Sequence, residues 1–585
     1  MRIVEIFLMA LAGIWQGLRM DLNLLELGAI AAGYWAWRKH GWRPKWDRIP
    51  NPRKPTIYAL GIAAGVVLIR LALLPLLPAP VPIVADEFSH LLLADTLVHG
   101  RLVNPTHPFW PHFESLHIIQ QPHYASNYFP GPAIVLAAAW ILVGNPWAGI
   151  LAECAAFLAI LYWSLRGWMP ARWSAYGVLL AALRFGIGSY WINAFHGGFL
   201  PALGGALVFG AFPRLQRKAN WIHASVLGAG LLVMALSRPY EGALYAVPIL
   251  GALAWQYRQS FTAVARVAIP AAAFAAFAGL LLGGYMKQVS GSPFVSAYQI
   301  SQKTYGWPLG VAWTTVPNIH NQNVEMQTYF EYEISEREKV DGPLDFLEFL
   351  TLRIQEYWRF FLGPILTIPL LFLPRVWKRR PWMFVALSGA VFAVMFEGAA
   401  SPHYIAIATA AIVAILVESI RHLRVARWGL AGAFPWAIAA VLIIRIAAQN
   451  LHLPYTQTVN YQSWCCRVEG NLNKARITHE LIAQQPAAKH LVFVKAKTDW
   501  RNFLQWIYND ADIDASRIVW ARDLGVERNS ELIDYYKGSR EVWMLDPNVE
   551  PARMERYRPA LPPHEQPRLA VAAAPAEAQP QRPAP

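Results

Sequence analysis

Val84-Ala85-Asp86-Glu87-Phe88-Ser89-His90 follows a long, mostly apolar run that extends from Ile57 to Val81. Upstream lies a basic, proline-rich stretch with Arg38, Lys39, Arg43, Lys45, Arg48, Arg53 and Lys54 against one acid, Asp47. Short basic segments beside apolar blocks stay on the cytoplasmic side. Residues 57–79 therefore carry the chain out, and Asp86-Glu87 falls at the outer face. Carboxylates at the edge of a span are costly to desolvate, so the pair marks either a site or a solvated loop and helix cap. Arg70 inside the same span must face other helices or snorkel outward.

The composition agrees with this reading. Of 585 residues 55% are hydrophobic and only 15% charged, and the mean hydropathy is +0.28. The apolar residues recur in blocks close to the roughly 20 residues that cross a bilayer core as helix. This excludes an ordinary soluble globular protein and predicts a polytopic α-helical membrane protein of about 11–13 transmembrane helices. The net charge of +14 does not call for nucleic acid, because many of the Lys and Arg lie in short loops between apolar blocks, where they set orientation. The first apolar segment has no small-residue cleavage site after it, so no removed signal peptide is read. Cys154 lies within an apolar block, and Cys465-Cys466 follow the last span; three cysteines so spaced suggest neither a zinc site nor a disulfide framework.

Charge fixes the order of crossings. Residues 1–56 hold two short apolar segments, 3–18 and 24–37, and the basic cytoplasmic stretch. Residues 57–449 form the membrane domain. Its first outer loop, 82–131, is rich in His, Pro and aromatics and opens with a helix expected to lie along the membrane surface. Residues 132–144 are apolar but short, and Gly144-Asn145-Pro146 breaks them; they read as an interfacial or re-entrant helix. If they crossed, every later basic loop would face outward. Spans then alternate at 148–165, 173–189, 198–212, 221–236, 240–256, 265–285, 357–374, 382–396, 404–420 and 428–447. The cytoplasmic turns carry Arg166 and Arg172; Arg214, Arg217 and Lys218; Arg258; Arg375 to Arg380; and Arg421 to Arg427. A large, acidic outer loop covers 286–354.

After Asn450 the pattern changes. Leu491-Val492-Phe493-Val494, Ile518-Val519-Trp520 and Val542-Trp543-Met544-Leu545 read as short buried strands, with helical segments near 471–485, 500–508 and 529–537. Residues 450–560 thus form a small extracytoplasmic α/β domain, and 561–585, rich in Pro and Ala, a disordered tail. Asn509-Asp510-Ala511-Asp512-Ile513-Asp514 has a calcium-like acidic spacing but lacks the glycine and distal glutamate of an EF-hand, so turn and capping roles are expected.

The crossing order brings polar groups to one membrane face. They are Asp86, Glu87 and His90; Asn193 and His196; Arg238 and Glu241; Lys287; and Glu397, His403 and Tyr404. Each alone has an ordinary explanation in packing or snorkelling. Together they suit one chemistry. A carboxylate can take a proton from an acceptor hydroxyl or amine. Arg, Lys and His can hold a phosphate leaving group as it gathers charge. A donor at an outer face without nucleotide sugars must arrive on a lipid, and a polyprenyl-phosphate sugar does so.

An outward-leading span, an Asp-Glu pair directly after it, a surface helix ending at His99-Gly100, and Tyr128-Phe129-Pro130-Gly131-Pro132 opening a short apolar helix resemble the integral-membrane glycosyltransferases of the GT-C class. The similarity is to the branch of protein O-mannosyltransferases and lipid A aminoarabinose transferases, and it covers roughly residues 57–240, more weakly to 447. The resemblance implies catalytic roles for Asp86, as general base, and Glu87. It implies inverting transfer of a hexosyl or pentosyl group from a polyprenyl-phosphate donor to a lipid, glycan or protein acceptor at the outer face of the plasma (inner) membrane of the cell envelope. His90, His196, Arg238, Glu241, Lys287, His403 and Tyr404 are then expected to bind donor phosphate or sugar. Relatives often carry an acid where this chain has Asn193 and His196, so no metal ligand set is assigned and no cofactor is firmly implied. The alternative is a transporter or flippase for a lipid-linked glycan, which would place ionisable groups at mid-membrane within a paired internal repeat; no such repeat is visible. A non-catalytic scaffold would not need Asp86, Glu87 or Arg238.

Overall fold

Long apolar helices dominate the computed structural model, which describes residues 23–40, 49, 52–307, 319–338, 342–398, 400–426, 428–453, 462–466, 472–496 and 506–558. Outside these lie the apolar segment expected at 3–18, much of the basic stretch with Arg43, Lys45 and Arg48, Arg427, most of the helix expected near 500–508, and the tail expected at 561–585.

The helices run in chain order as α1 (Asn23–His40), α2 (Pro55–Ala72), α3 (Ala85–Val98), α4 (Pro130–Val143), α5 (Trp147–Leu165), α6 (Ala171–Phe185), α7 (Phe199–Arg217), α8 (Trp221–Ser237), α9 (Pro239–Tyr257) and α10 (Phe261–Ser290). Three shorter or amphipathic helices, α11 (Ala297–Tyr305), α12 (Val324–Glu338) and α13 (Pro343–Phe361), fill the expected large loop. The helical arm α14 (Gly363–Arg379) follows, then α15 (Pro381–Met395), α16 (Thr409–Val425) and α17 (Phe434–Asn450).

Among the described residues, four helices are long and apolar enough to cross a bilayer by length and composition: α2, α5, α10 and the 406–425 segment that contains α16. Shorter apolar helices, α4, α8, α15 and α17, accompany them. The expected span at 357–374 is instead two arms, α13 and α14, bent by 99°. The break falls at Gly363, whose φ of +63° suits glycine. Exposed Trp221, Trp255, Trp377, Trp382 and Trp428 sit at successive turns beside Lys218, Arg258, Lys378, Arg380 and Arg424. Such aromatic and basic girdles mark a membrane–water boundary. By the alternation of the helices, that boundary lies at the end opposite Asp86.

Arg70 is fully buried. It donates to the Asn193 side chain at 2.9 Å and to the carbonyls of Leu77 and Pro78 at 2.7 and 2.8 Å, and its guanidinium lies 4.7 Å from the centre of the Trp147 ring. It therefore pins the exit from α2 to the loop before α7.

The C-terminal domain has helices α18 (Leu472–Gln484) and α19 (Val526–Tyr535) and strands β3 (His490–Val494), β4 (Ile518–Arg522), β5 (Glu541–Asp546) and β6 (Arg553–Arg556). Two short strands, β1 (Ile118–Ile119) and β2 (Ala125–Ser126), precede them in the first outer loop and pair antiparallel. The four-stranded sheet has the order β4-β3-β5-β6, parallel except at the β6 edge. Its apolar residues Leu491, Phe493 and Val519 share one core with Leu92, Phe113, Ile118 and Tyr124 of the first outer loop. The domain thus sits on α3. The helix expected to lie along the membrane surface is covered by this packing: α3 is buried on nearly all sides, from Ala85 to Thr96, because the domain packs on its outer face. Trp506 to Asp510, part of which was expected to be helical, has no regular structure. Cys154 is buried and unbonded, whereas Cys465 and Cys466 are bonded to each other, a pairing the spacing did not suggest.

Candidate active site

Asp86 and Glu87 occupy the first turn of α3, where free backbone N–H groups favour negative charge. Their side chains take different paths. Glu87 has no exposure. One carboxylate oxygen accepts from the N–H groups of Ile83 (2.8 Å) and Val84 (3.3 Å), and the other from the Phe195 N–H (2.9 Å), with His196 Nδ1 at 4.0 Å. Glu87, expected to be catalytic, ties the start of α3 to the loop before α7. Asp86 keeps 29% of its side chain exposed and has His117 Nε2 at 3.9 Å.

His117 was not singled out in the sequence. It adopts a φ of +59°, a conformation non-glycine residues seldom hold and one that clusters at functional sites. The Ser89 hydroxyl and the Asn127 N–H bind its carbonyl at 2.7 and 3.1 Å. Its ring meets Tyr128, Trp307 and Tyr329 at centroid distances of 5.7, 5.4 and 5.7 Å. Tyr298, from α11, packs edge-on against Tyr128 at 5.8 Å. These rings wall the side of Asp86.

The other expected residues gather behind this wall. His90 stacks on Tyr128 at 4.6 Å. Burial pushes its imidazole down to about 3, helped by the charges of His196, Arg238 and His117, so it is neutral at pH 7. His403 is held well below the usual histidine range by burial, then by Arg238, His196 and His90. Its Nδ1 lies 2.9 Å from the Tyr190 hydroxyl, and its ring lies 5.2 Å from that of His196. Arg238 donates to Glu241 at 2.6 Å and lies 4.3 Å from the centre of the Tyr404 ring. Burial opposes its charge, but Glu241, Tyr404 and Glu397 outweigh that and keep it protonated. Glu397 is pushed well above the carboxylate range by burial and by the Glu241 carboxylate beside it. The Tyr298 hydroxyl feels Arg238, Tyr404, Asp86 and Glu241 together.

The structure therefore brings Asp86, His90, His196, Arg238, Glu241, His403 and Tyr404 into one neighbourhood. Lys287 does not join them: it is exposed on the last turn of α10, and no hydrogen bond or ion pair among the described residues links it to the cluster. Asn193 serves Arg70. His117, Tyr128 and Tyr298 were missed, because aromatics scattered through loops carry no periodic signal. Among the described residues no three His, Cys, Asp or Glu side chains are grouped to hold a metal ion. The acidic run near Asp510 is used internally: Asp510 takes the Ser516 hydroxyl, Asp512 caps Ala515, and Asp514 takes His107, Tyr535 and Tyr536. What remains is an open carboxylate, an aromatic wall, a fixed guanidinium and neutral imidazoles, a set able to accept one proton and to bind an anion and a ring.

No protein-family model and no curated protein matches the chain. Among solved structures it is similar to the archaeal oligosaccharyltransferase AglB from Archaeoglobus fulgidus in complex with an inhibitory peptide and a dolichol-phosphate, at 14% identity over 84% of this chain and 69% of that one, TM-score 0.42. It is also similar to ArnT from Cupriavidus metallidurans, at 14% identity over 83% and 93% of the two chains in the apo state, TM-score 0.43, and at 12% identity over 84% and 92% when bound to undecaprenyl phosphate, TM-score 0.42.

Proposed function

We propose that this chain is an integral-membrane glycosyltransferase that moves a sugar from a polyprenyl-phosphate donor to an acceptor at the extracytoplasmic face. Asp86 takes the proton of the acceptor hydroxyl or amine as the acceptor atom bonds to the anomeric carbon. The bond from that carbon to the donor phosphate breaks, and its electrons leave with the phosphate. Arg238 supplies fixed positive charge for it, and neutral His90 and His403 supply N–H donors. The rings of Tyr128, Trp307 and Tyr329 offer faces for a sugar.

One observation carries this reading. Asp86 is partly open, while Glu87 is engaged by three backbone N–H groups and Glu241 by Arg238, and burial beside Glu241 raises Glu397 well above the carboxylate range. The test uses purified protein in lipid with a panel of radiolabelled polyprenyl-phosphate sugars and membrane extract as acceptor source. Release of polyprenyl phosphate with label appearing on an acceptor is expected. Movement of intact donor across the bilayer, without cleavage, would instead make the chain a flippase.

A further inference from the structure

A crevice away from the site lies where the C-terminal domain meets the membrane domain. It has a volume of about 430 Å³, within the range of about 300–1,000 Å³ typical of ligand sites. Val81, Pro82 and Phe88 form one wall, and Ala475, Thr478, His479 and Ile482 on a single face of α18 form the other. Lys474 also lines it, but its ammonium turns away, donating to the carbonyls of Trp506 (2.7 Å) and Tyr508 (3.3 Å) and lying 5.0 Å from the centres of the Phe88 and Trp520 rings. The part left to the crevice is its methylene stem, so the lining is almost wholly apolar.

The crevice stands at the end of a lipid-facing track. Leu68, Ile69, Leu71, Leu74 and Leu76 are exposed along α2 and the turns after it. Arg70 and Asn450 bind the carbonyls of Leu77, Pro78 and Leu76, holding this connection at the end of the span. Val81 and Pro82 follow directly. Asp86 and His90, four residues apart, share one face of α3; Phe88, Leu92 and Asp95 share the other. The crevice is thus across α3 from Arg238 and the histidines, away from where a donor phosphate is proposed to bind.

We infer that this crevice takes one acyl chain of a bilayer phospholipid and so fastens the C-terminal domain to the membrane surface. The inference stands on the lining and its position and does not need sugar transfer. The experiment reconstitutes the full chain in phosphatidylcholine vesicles doped with a phosphatidylcholine carrying a diazirine in its acyl chain, followed by photolysis and peptide mapping. Label is expected on residues 475–482 as well as on α2, and Thr478→Trp, which fills the crevice, should abolish the first while leaving the second. Label on α2 alone would overturn the inference. So would loss of the 475–482 label on adding polyprenyl phosphate, which would give the crevice to the donor chain.

Discussion

Asp86 and Glu87 are neighbours with opposite circumstances, and substitution separates them. Glu87→Gln places an amide N–H₂ where only acceptors fit, leaving at least one buried N–H unpaired at a cost of about 1–3 kcal/mol. Thermal unfolding in detergent should show that loss. Asp86→Asn at a partly exposed position should stay within about 0.5 kcal/mol of wild type; equal losses in both would contradict the division of roles. The buried imidazoles make a second prediction. His90 is pushed to about 3 and His112 to about 4, chiefly by burial, against about 6.5 for a free histidine. The unfolded chain then binds these protons more readily than the folded one. Stability is full above about pH 6.5 and falls as pH drops below it, the loss being complete only near the folded values. Melting temperatures taken from pH 8 to 4 should decline in that window, and His90→Gln should flatten the decline. At this scale the sequence showed which residue types converge, because charge and span order need no coordinates. It did not show that Glu87 is a clamp or that His117 faces Asp86, since both depend on backbone turns set by distant segments.

Helices position these residues through close backbone contacts. A Cβ at Gly205, in the second turn of α7, would run into the Ile407 carbonyl, so glycine lets the segment after His403 and Tyr404 lie directly on α7. Gly205→Ala should force that segment away and cost about 1–3 kcal/mol or more, read as a lowered melting temperature; an unchanged melt would show that the contact is slack. The apolar helices were legible because hydrophobic length acts locally. The bend at Gly363 was not, because the last residues of α13 and the first of α14 read as one mostly apolar run, 357–374, while Arg184 and Glu26 pack close to Gly363. The burial of α3 was missed for a similar reason: its apolar residues read alike whether lipid or protein covers them.

In the whole molecule, the C-terminal domain is part of what holds α3. Besides the shared core, the Ala511 N–H binds Asp95 of α3 at 2.7 Å and the Tyr124 hydroxyl of the same outer loop binds the Asn509 carbonyl at 3.0 Å. A chain ending at Asn450 should therefore leave residues 85–126 open to protease that the full chain resists; equal protection would show that the membrane domain holds α3 unaided. The three strands were readable as apolar runs, but where the domain docks was not, since none of its contacts with α3 is local in sequence. The central claim, that Asp86 accepts the proton in a glycosyl transfer, is tested most directly by wild type and Asp86→Asn side by side in lipid, measuring both donor binding and sugar transfer. The variant should fold and bind the polyprenyl-phosphate sugar as wild type does while transfer collapses. Transfer that survives the substitution would contradict the claim.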